Sequence, residues 1–326
     1  MMEENLFEIK EELKSLQVSV QRLKDEIGKV IVGQSQMVEL LVAALLADGH
    51  VLIEGVPGVA KTLTAKMLSR TISVDFSRIQ FTPDLMPGDV IGTTIFNTST
   101  NRFEFNHGPI FGNIILIDEI NRAPAKTQAA LFEVMEERQV TVDGKTYEMS
   151  TPFMVVATQN PIEQEGTYHL PEAQLDRFLF KIDVKYPTLE QEIAILSNHH
   201  NKDVDSMMDE VTHVLSWTEL SELRKSVREI HVEQKVLGYI AEMVNSTRNN
   251  KSIYLGASPR ASIGILQGAK AIAAMEGRNF ITPDDVIYIA TPVLRHRIVL
   301  TPDKEMEGVS TDEVIRQVIQ QVEVPR

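Results

Sequence analysis

The 326-residue sequence contains no cysteine. That absence excludes disulfides, zinc–thiolate and iron–sulfur centres and any thiol nucleophile, and it suits a reducing compartment, so a cytoplasmic location is expected. Aromatic residues are sparse, at 6% with one tryptophan, and positive charge is in deficit: 32 Lys and Arg stand against 46 Asp and Glu, a formal charge of −14. So acidic a chain repels phosphate backbones, which argues against nucleic acid as its main partner. Long apolar runs are also missing. The longest, Leu40 to Ala47, has eight residues, whereas a membrane-spanning helix needs about 20. No span is expected, and the acidic start Met1-Met2-Glu3-Glu4 lacks the basic and apolar regions of a signal peptide. What remains, 43% hydrophobic and 24% charged, is ordinary globular composition at a length suited to about two domains.

Leu6, Ile9, Leu13, Leu16, Val20, Leu23 and Ile27 recur at three- and four-residue intervals and predict an amphipathic helix that ends at Gly28. Two readings fit it, a short coiled coil or a helix packed on its own domain; the second is favoured because about three heptads barely sustain a coiled coil. A second helix is predicted over 34–48. From 50 to 186 short apolar runs alternate with helical segments, which predicts an α/β domain with a mostly parallel sheet. Its five candidate strands, 51–54, 78–82, 114–118, 153–159 and 178–184, are apolar enough for burial on both faces. Two inserts interrupt the rhythm. Residues 87–107 carry Gly88, Gly92, Asn97 and Asn101 around β-type runs and read as a hairpin after the second strand; 139–149 place Asp143-Gly144 between two β-type runs. Ordinary surface loops are the alternative for both. After Tyr186-Pro187 strand signals stop and a helical domain is predicted, with Ser258-Pro259 and Thr282-Pro283 as helix starts, Asp284-Asp285 favouring the second helix dipole, and 201–209 and 245–252 as polar connectors. The domains are therefore expected at 1–186 and 187–326.

The segment most suggestive of chemistry runs from the apolar Val51-Leu52-Ile53 through Glu54, Gly55, Val56, Pro57, Gly58, Val59, Ala60, Lys61 and Thr62 into a helix opening at Leu63. A buried strand, a Gly-rich turn and a helix start are what a phosphate group needs: backbone N–H groups wrap it, the helix N-terminus and Lys61 add positive charge, and Thr62 can ligate Mg²⁺. Ala60 stands where the usual pattern has a second glycine, so a purely structural strand-to-helix turn stays open for this segment alone. Ile114-Ile115-Leu116-Ile117 end in Asp118-Glu119, two carboxylates at the end of a buried strand, where open α/β sheets bind ligands. Asp118 could hold the magnesium and Glu119 orient or polarise an attacking water; solvated strand-end acids are the plain alternative. Asn160, before Pro161, ends another buried-type strand and could reach a γ-phosphate or the water, although Asn-Pro by itself signals a turn. Arg177, before the last strand, and Arg260, opening a helix, are either surface cations or groups that stabilise a transferring phosphoryl.

The sequence resembles the AAA+ ATPases and, within them, the MoxR family. The resemblance covers nearly the whole chain and rests on Gly-Val-Pro-Gly-Val-Ala-Lys-Thr at 55–62, Ile-Gln-Phe-Thr-Pro-Asp-Leu-Met-Pro at 79–87, Leu-Ile-Asp-Glu-Ile-Asn-Arg-Ala-Pro at 116–124, Glu-Val-Met-Glu-Glu-Arg-Gln-Val at 133–140, Ala-Thr-Gln-Asn-Pro at 157–161 and Gly-Ala-Ser-Pro-Arg-Ala at 256–261. Members of that family also have alanine before the loop lysine. The resemblance implies a P-loop core with a five-stranded parallel sheet and a smaller all-helical lid. It implies Walker A residues at Gly55, Gly58, Lys61 and Thr62, Walker B at Asp118 and Glu119, sensor 1 at Asn160, an arginine finger at Arg177 and sensor 2 at Arg260. Val32 and Gly33 would border the adenine. ATP and Mg²⁺ are the implied ligands, and an arginine finger acting on a neighbour's ATP implies a ring, a hexamer by analogy. The two inserts would grip or push partners around its pore. The family is regarded as chaperone-like, remodelling partner proteins or assisting metal-cofactor insertion, often with von Willebrand factor A domain proteins.

Rival readings are the ATPase subunit of a chelatase, a nucleotide-gated scaffold with little turnover, and a DNA-translocating helicase, which the acidic residues of the 139–149 insert disfavour. The eight histidines form no metal-binding pattern. His199-His200 ends a helix, Gly264 and Gly268 allow close helix packing, and Trp217 is a packing residue.

Overall fold

The computed structural model describes residues 11–160 and 167–325. Leu6, Ile9 and Pro161 lie outside them. The N-terminal part contains the strands β1 (His50–Gly55), β2 (Phe76–Gln80), β3 (Gly92–Asn97), β4 (Arg102–His107), β5 (Ile114–Asp118), β6 (Gln139–Val142), β7 (Lys145–Glu148), β8 (Met154–Gln159) and β9 (Phe178–Val184). Five of them form one sheet in the order β2-β5-β8-β1-β9, every neighbouring pair parallel. Alternation along the strands divides the core in two: Val51, Ile53, Ile114 and Leu116 face one apolar cluster, while Leu52, Ile115 and Ile117 face the other. Burial on both faces is thus borne out for the central strands. It fails for β2, which lies two residues earlier than expected and buries only Ile79, because helices cover little of this edge strand, whereas they pack closely on β9 at the other edge.

The helices of this half are α1 (Glu11–Gly28), α2 (Ser35–Leu46), α3 (Lys61–Thr71), α4 (Pro87–Ile91), α5 (Ala125–Glu137) and α6 (Glu172–Leu175). In α1, Leu13, Leu16, Val20, Leu23 and Ile27 are buried against this chain's own helices, the packed reading rather than the coiled coil. Both inserts are hairpins. The first opens with α4, which the sequence reading missed, and then pairs β3 with β4; the second pairs β6 with β7 through Asp143 and Gly144, both at positive φ as a primed turn requires. The hairpins touch: Thr94 Oγ1 donates to Asp143 Oδ2 at 2.6 Å, and the Phe105 and Tyr147 rings lie 4.6 Å apart.

Beyond Tyr186 follow α7 (Leu189–Asn201), α8 (Val204–Asp209), α9 (Trp217–Arg228), α10 (Gln234–Arg248), α11 (Pro259–Met275), α12 (Pro283–Leu294), α13 (Pro302–Met306) and α14 (Thr311–Gln321). Two expectations need correction here. The region is not purely helical, since β10 (Ile253–Leu255) pairs antiparallel with β11 (Val299–Leu300). The supposed polar connectors are largely helix: Met207 and Met208 of α8 are buried, and 245–248 complete α10. Helix α11 packs on α12 and β9 through its glycines; a Cβ at Gly268 would stand 2.6 Å from Ile289 Cγ1 and 3.1 Å from the Phe180 ring. Trp217 packs against the core, with the Arg224 guanidinium 5.5 Å from its ring, and His199 and His200 fall in the last turn of α7. Among the described residues no helix is long and apolar enough to cross a membrane.

Candidate nucleotide site

Parallel pairing brings the ends of β1, β8 and β5 to one edge of the sheet, and the candidate phosphate groups leave from there. Gly55 ends β1 against β9 so closely that a Cβ would stand 2.8 Å from the Val184 carbonyl oxygen. Gly58 takes φ +86°, a conformation that favours glycine. Ala60, just before α3, sits at φ +59° and ψ 21°. The chain thus keeps the left-handed turn that the missing glycine would make, at a strain of about 1 kcal/mol. Ala60 has no side chain to cap α3, whose first-turn N–H groups, at Lys61, Thr62 and Leu63, are therefore donors suited to an anion. The Lys61 ammonium folds back over the loop and donates to the Gly55 carbonyl at 2.6 Å.

Asp118 is buried at the end of β5. Its Oδ2 accepts from Arg78 Nε at 2.7 Å and its Oδ1 from the Thr158 hydroxyl at 3.1 Å. The Glu119 N–H donates to the same hydroxyl at 3.1 Å, with its backbone at φ +57°. Its carboxylate Oε2 accepts from Gln80 Nε2 at 2.9 Å and lies 3.0 Å from Arg122 Nε. Sequence reasoning missed Arg78, Gln80, Arg122 and Thr158. The available signal was the period of two in β2, which puts Arg78 and Gln80 on one side of an edge strand beside β5. Asn160 is buried one residue past β8, between the strands that carry the loop and the acids.

Thr62 and Asp118 suit a magnesium ion, because a hydroxyl and a carboxylate are hard oxygen donors and two protein ligands leave positions for water and phosphate. No group of three or more His, Asp or Glu among the described residues could hold a metal by itself. Beside the loop, a cavity of about 430 Å³ is lined by Gly33, by 183–186 at and just beyond the end of β9, and by Thr291 and Arg295. Val32 precedes it, half-buried. Gly33, at φ +79°, lies so near Gln191 that a Cβ would stand 2.7 Å from the amide oxygen.

The two arginines lie elsewhere. Arg177 Nη1 donates to the Phe132 carbonyl at 2.8 Å and lies 3.4 Å from one oxygen of Glu136, while Arg260 Nη2 binds the other oxygen. The hydrogen bond from Arg260, with the charges of Arg260 and Arg177, holds the Glu136 carboxyl below the usual range. Both arginines line a cavity of about 300 Å³ with His50 and Asp48, at the start of β1. The candidate phosphate loop leaves the other end of that six-residue strand, roughly 17 Å away at 3.3 Å per residue. The structure therefore brings Arg177 and Arg260 to each other and to Glu136, and keeps both from the loop of their own chain. His50 is buried here; burial, then the Arg138 charge, push its pKa down to about 4.

Comparison with known proteins gives a consistent result. The ATPase family associated with various cellular activities (AAA) matches residues 50–180, and the AAA lid domain matches 245–318. The chain is 45% identical to the Bacillus subtilis protein YeaC over 92% of this chain and 93% of that one. It is 44% identical to the chaperone MoxR1 of Mycobacterium tuberculosis, over 94% of this chain and 83% of that one. A crystal structure of a Cytophaga hutchinsonii protein taken to be an ATPase matches with a TM-score of 0.90 at 41% identity, covering 97% of this chain and 98% of that one.

Proposed function

The chain belongs to the MoxR-type AAA ATPases, enzymes that hydrolyse ATP, and from that premise we propose that it works as a ring whose copies share their active sites, coupling ATP turnover to remodelling of a protein partner. Loop 55–60, Lys61 and the first turn of α3 bind the phosphates, and Val32 and Gly33 border the base. Magnesium, when bound, offsets the charge of the β- and γ-phosphates, and Thr62 and Asp118 are the residues to hold it. Glu119 orients and polarises the lytic water, and Asn160 reaches the γ-phosphate or that water. Arg177 and Arg260 stabilise the transferring phosphoryl on the neighbouring copy.

The observation that carries this reading is the strand length between the arginines and their own phosphate loop. Guanidiniums so far from one nucleotide can serve another only if a second copy presents it, head to tail, and such contacts form a ring where the rotation between copies closes; a hexamer is the expected size. The chaperone name of the Mycobacterium tuberculosis relative supports a protein client; von Willebrand factor A domain proteins are candidates, and metal-cofactor insertion is one form the work could take. The pose of Glu119 favours a second reading. Tied to Gln80 and Arg122, it suits a nucleotide-gated scaffold that turns over slowly until a partner frees it.

Steady-state hydrolysis per protomer, measured as protein concentration rises and with Arg177→Ala mixed into wild type, separates the two. Specific activity that climbs with concentration and falls on mixing supports shared sites. ATP binding without turnover at any concentration supports the scaffold.

A further inference from the structure

Besides Glu136, which both side chains reach, a second link joins the segments that carry Arg177 and Arg260. Arg177 follows Asp176 in the chain, and Arg260 opens α11, whose N-cap is Ser258. The Asp176 carboxylate joins the two segments: Oδ2 accepts from the Ser258 hydroxyl at 2.9 Å, and Ser258 Oγ in turn accepts the Arg260 N–H at 3.2 Å. The other oxygen, Oδ1, accepts from Arg297 Nε at 2.6 Å.

Arg297 is buried, its side chain 4% exposed. Its Nη1 donates to the carbonyls of Leu179 at 3.1 Å and Val293 at 2.6 Å, and its Nη2 to those of Asp176 at 3.0 Å and Phe178 at 2.5 Å. All five guanidinium donors are engaged. One side of the planar fork is thereby fastened to the last turn of α12, and the other to the short stretch of backbone that carries Arg177. Two residues before it, Arg295 lines the cavity beside the phosphate loop and donates to the Lys181 carbonyl at 2.9 Å.

A buried ion pair is a poor way to gain stability, because desolvation offsets most of the attraction. A rigid, fully bonded fork is a good way to fix geometry. We propose that Asp176, braced by Arg297, is a positioning residue that sets Arg177 and Arg260 as one unit, so that both guanidiniums reach a neighbouring copy's nucleotide together. The inference rests on the reading that the two arginines act between copies. Asp176 itself touches no phosphate; it acts through its neighbours.

The test compares Asp176→Asn, Ser258→Ala and Ser258→Thr with Arg177→Ala and Arg260→Ala in the full-length chain, by kcat and KM for ATP. Misplacing both guanidiniums should lower kcat about 10- to 100-fold in Asp176→Asn, with KM for ATP within about twofold, since the phosphate loop is untouched. Ser258→Ala removes one bond of the joint and should lower kcat about threefold to tenfold; Ser258→Thr, which keeps the hydroxyl, should restore it. Ser258→Ala carries the same test if Asp176→Asn does not fold.

Mixing gives the readout that a merely structural role would not move. Asp176→Asn has an intact phosphate loop, and Lys61→Ala has intact arginines, so an equimolar mixture should recover about a quarter of the wild-type rate through interfaces that pair the two. No recovery above the sum of the separate rates overturns the proposal. Wild-type kcat in Asp176→Asn and Ser258→Ala, with Arg177→Ala and Arg260→Ala impaired, overturns the joint alone. Unimpaired arginine variants overturn the underlying reading and the joint with it.

Discussion

Lowering the pH from 7 to 5 should cost the folded chain about 2 kcal/mol through the single side chain of His50. The residue is 5% exposed, with ring Nδ1 accepting the Val155 N–H at 3.0 Å. That contact leaves the hydrogen on Nε2, which donates to the Met135 carbonyl at 3.2 Å. A second proton would set a ring N–H against the Val155 N–H in an enclosed site, beside Phe153 at 5.6 Å and the Arg138 charge. The folded pKa is accordingly depressed from 6.5 to about 4. Between those values the unfolded chain carries the proton and the folded chain does not, so stability rises with pH. It is complete above about pH 6.5, declines by about 1.4 kcal/mol per unit below, and is lower by about 3 kcal/mol at pH 4. His296, pushed well below its ordinary value by burial and Arg297, adds a loss of the same sign. The assay is urea unfolding at pH 7, 6 and 5 of the wild type and His50→Gln, whose amide can accept from Val155 and donate to Met135 without titrating. Subtracting the two curves cancels every other group. A variant with the same pH dependence as the wild type would refute the reasoning.

Glu119→Gln should bind ATP within about threefold of wild type by calorimetry while turnover falls about 100-fold or more; wild-type turnover would remove Glu119 from the chemistry. A chelator should stop hydrolysis and added Mg²⁺ restore it, and turnover that persists in the chelator would exclude the role given to Thr62 and Asp118. Gly268→Ala, which drives a methyl into Ile289 and Phe180, should lower stability by about 1–3 kcal/mol in thermal unfolding, and an unchanged melting temperature would contradict the packing. Ala60→Gly relieves a left-handed alanine but loosens the unfolded chain, so stability should change by about 1 kcal/mol or less with ATP binding kept. Lost binding would mean that the Ala60 methyl itself supports the loop.

Much of the sheet and the loop end of the candidate site was legible in the residues. The runs at 51–54, 114–118 and 153–159 are apolar on both faces and became the three central strands; Asp143-Gly144 became a primed turn. Where the pattern departed from the usual, at Ala60, the backbone kept the conformation and not the residue type. Legibility fell where structure depends on a partner far along the chain. β2 looked like a buried strand because the helices that do or do not cover an edge strand come from distant parts of the chain, and Met207 and Met208 made a helix of a stretch that composition alone marks as polar.

The sequence by itself determined the Gly-rich turn between β1 and α3, the strand-end acids, the two hairpins and the helix starts, because each depends on residues a few positions apart and on the conformations they allow. The tertiary structure alone decided that Glu119 is held by Gln80 and Arg122, that Arg177 and Arg260 meet on Glu136 at the far end of β1, and that Asp176 bonds Ser258 beside them. Arg177 and Arg260 are 83 positions apart, and nothing local to either specifies the other. Their meeting follows from how α11 and α12 pack on β9, through Gly268, Phe180 and the buried fork of Arg297.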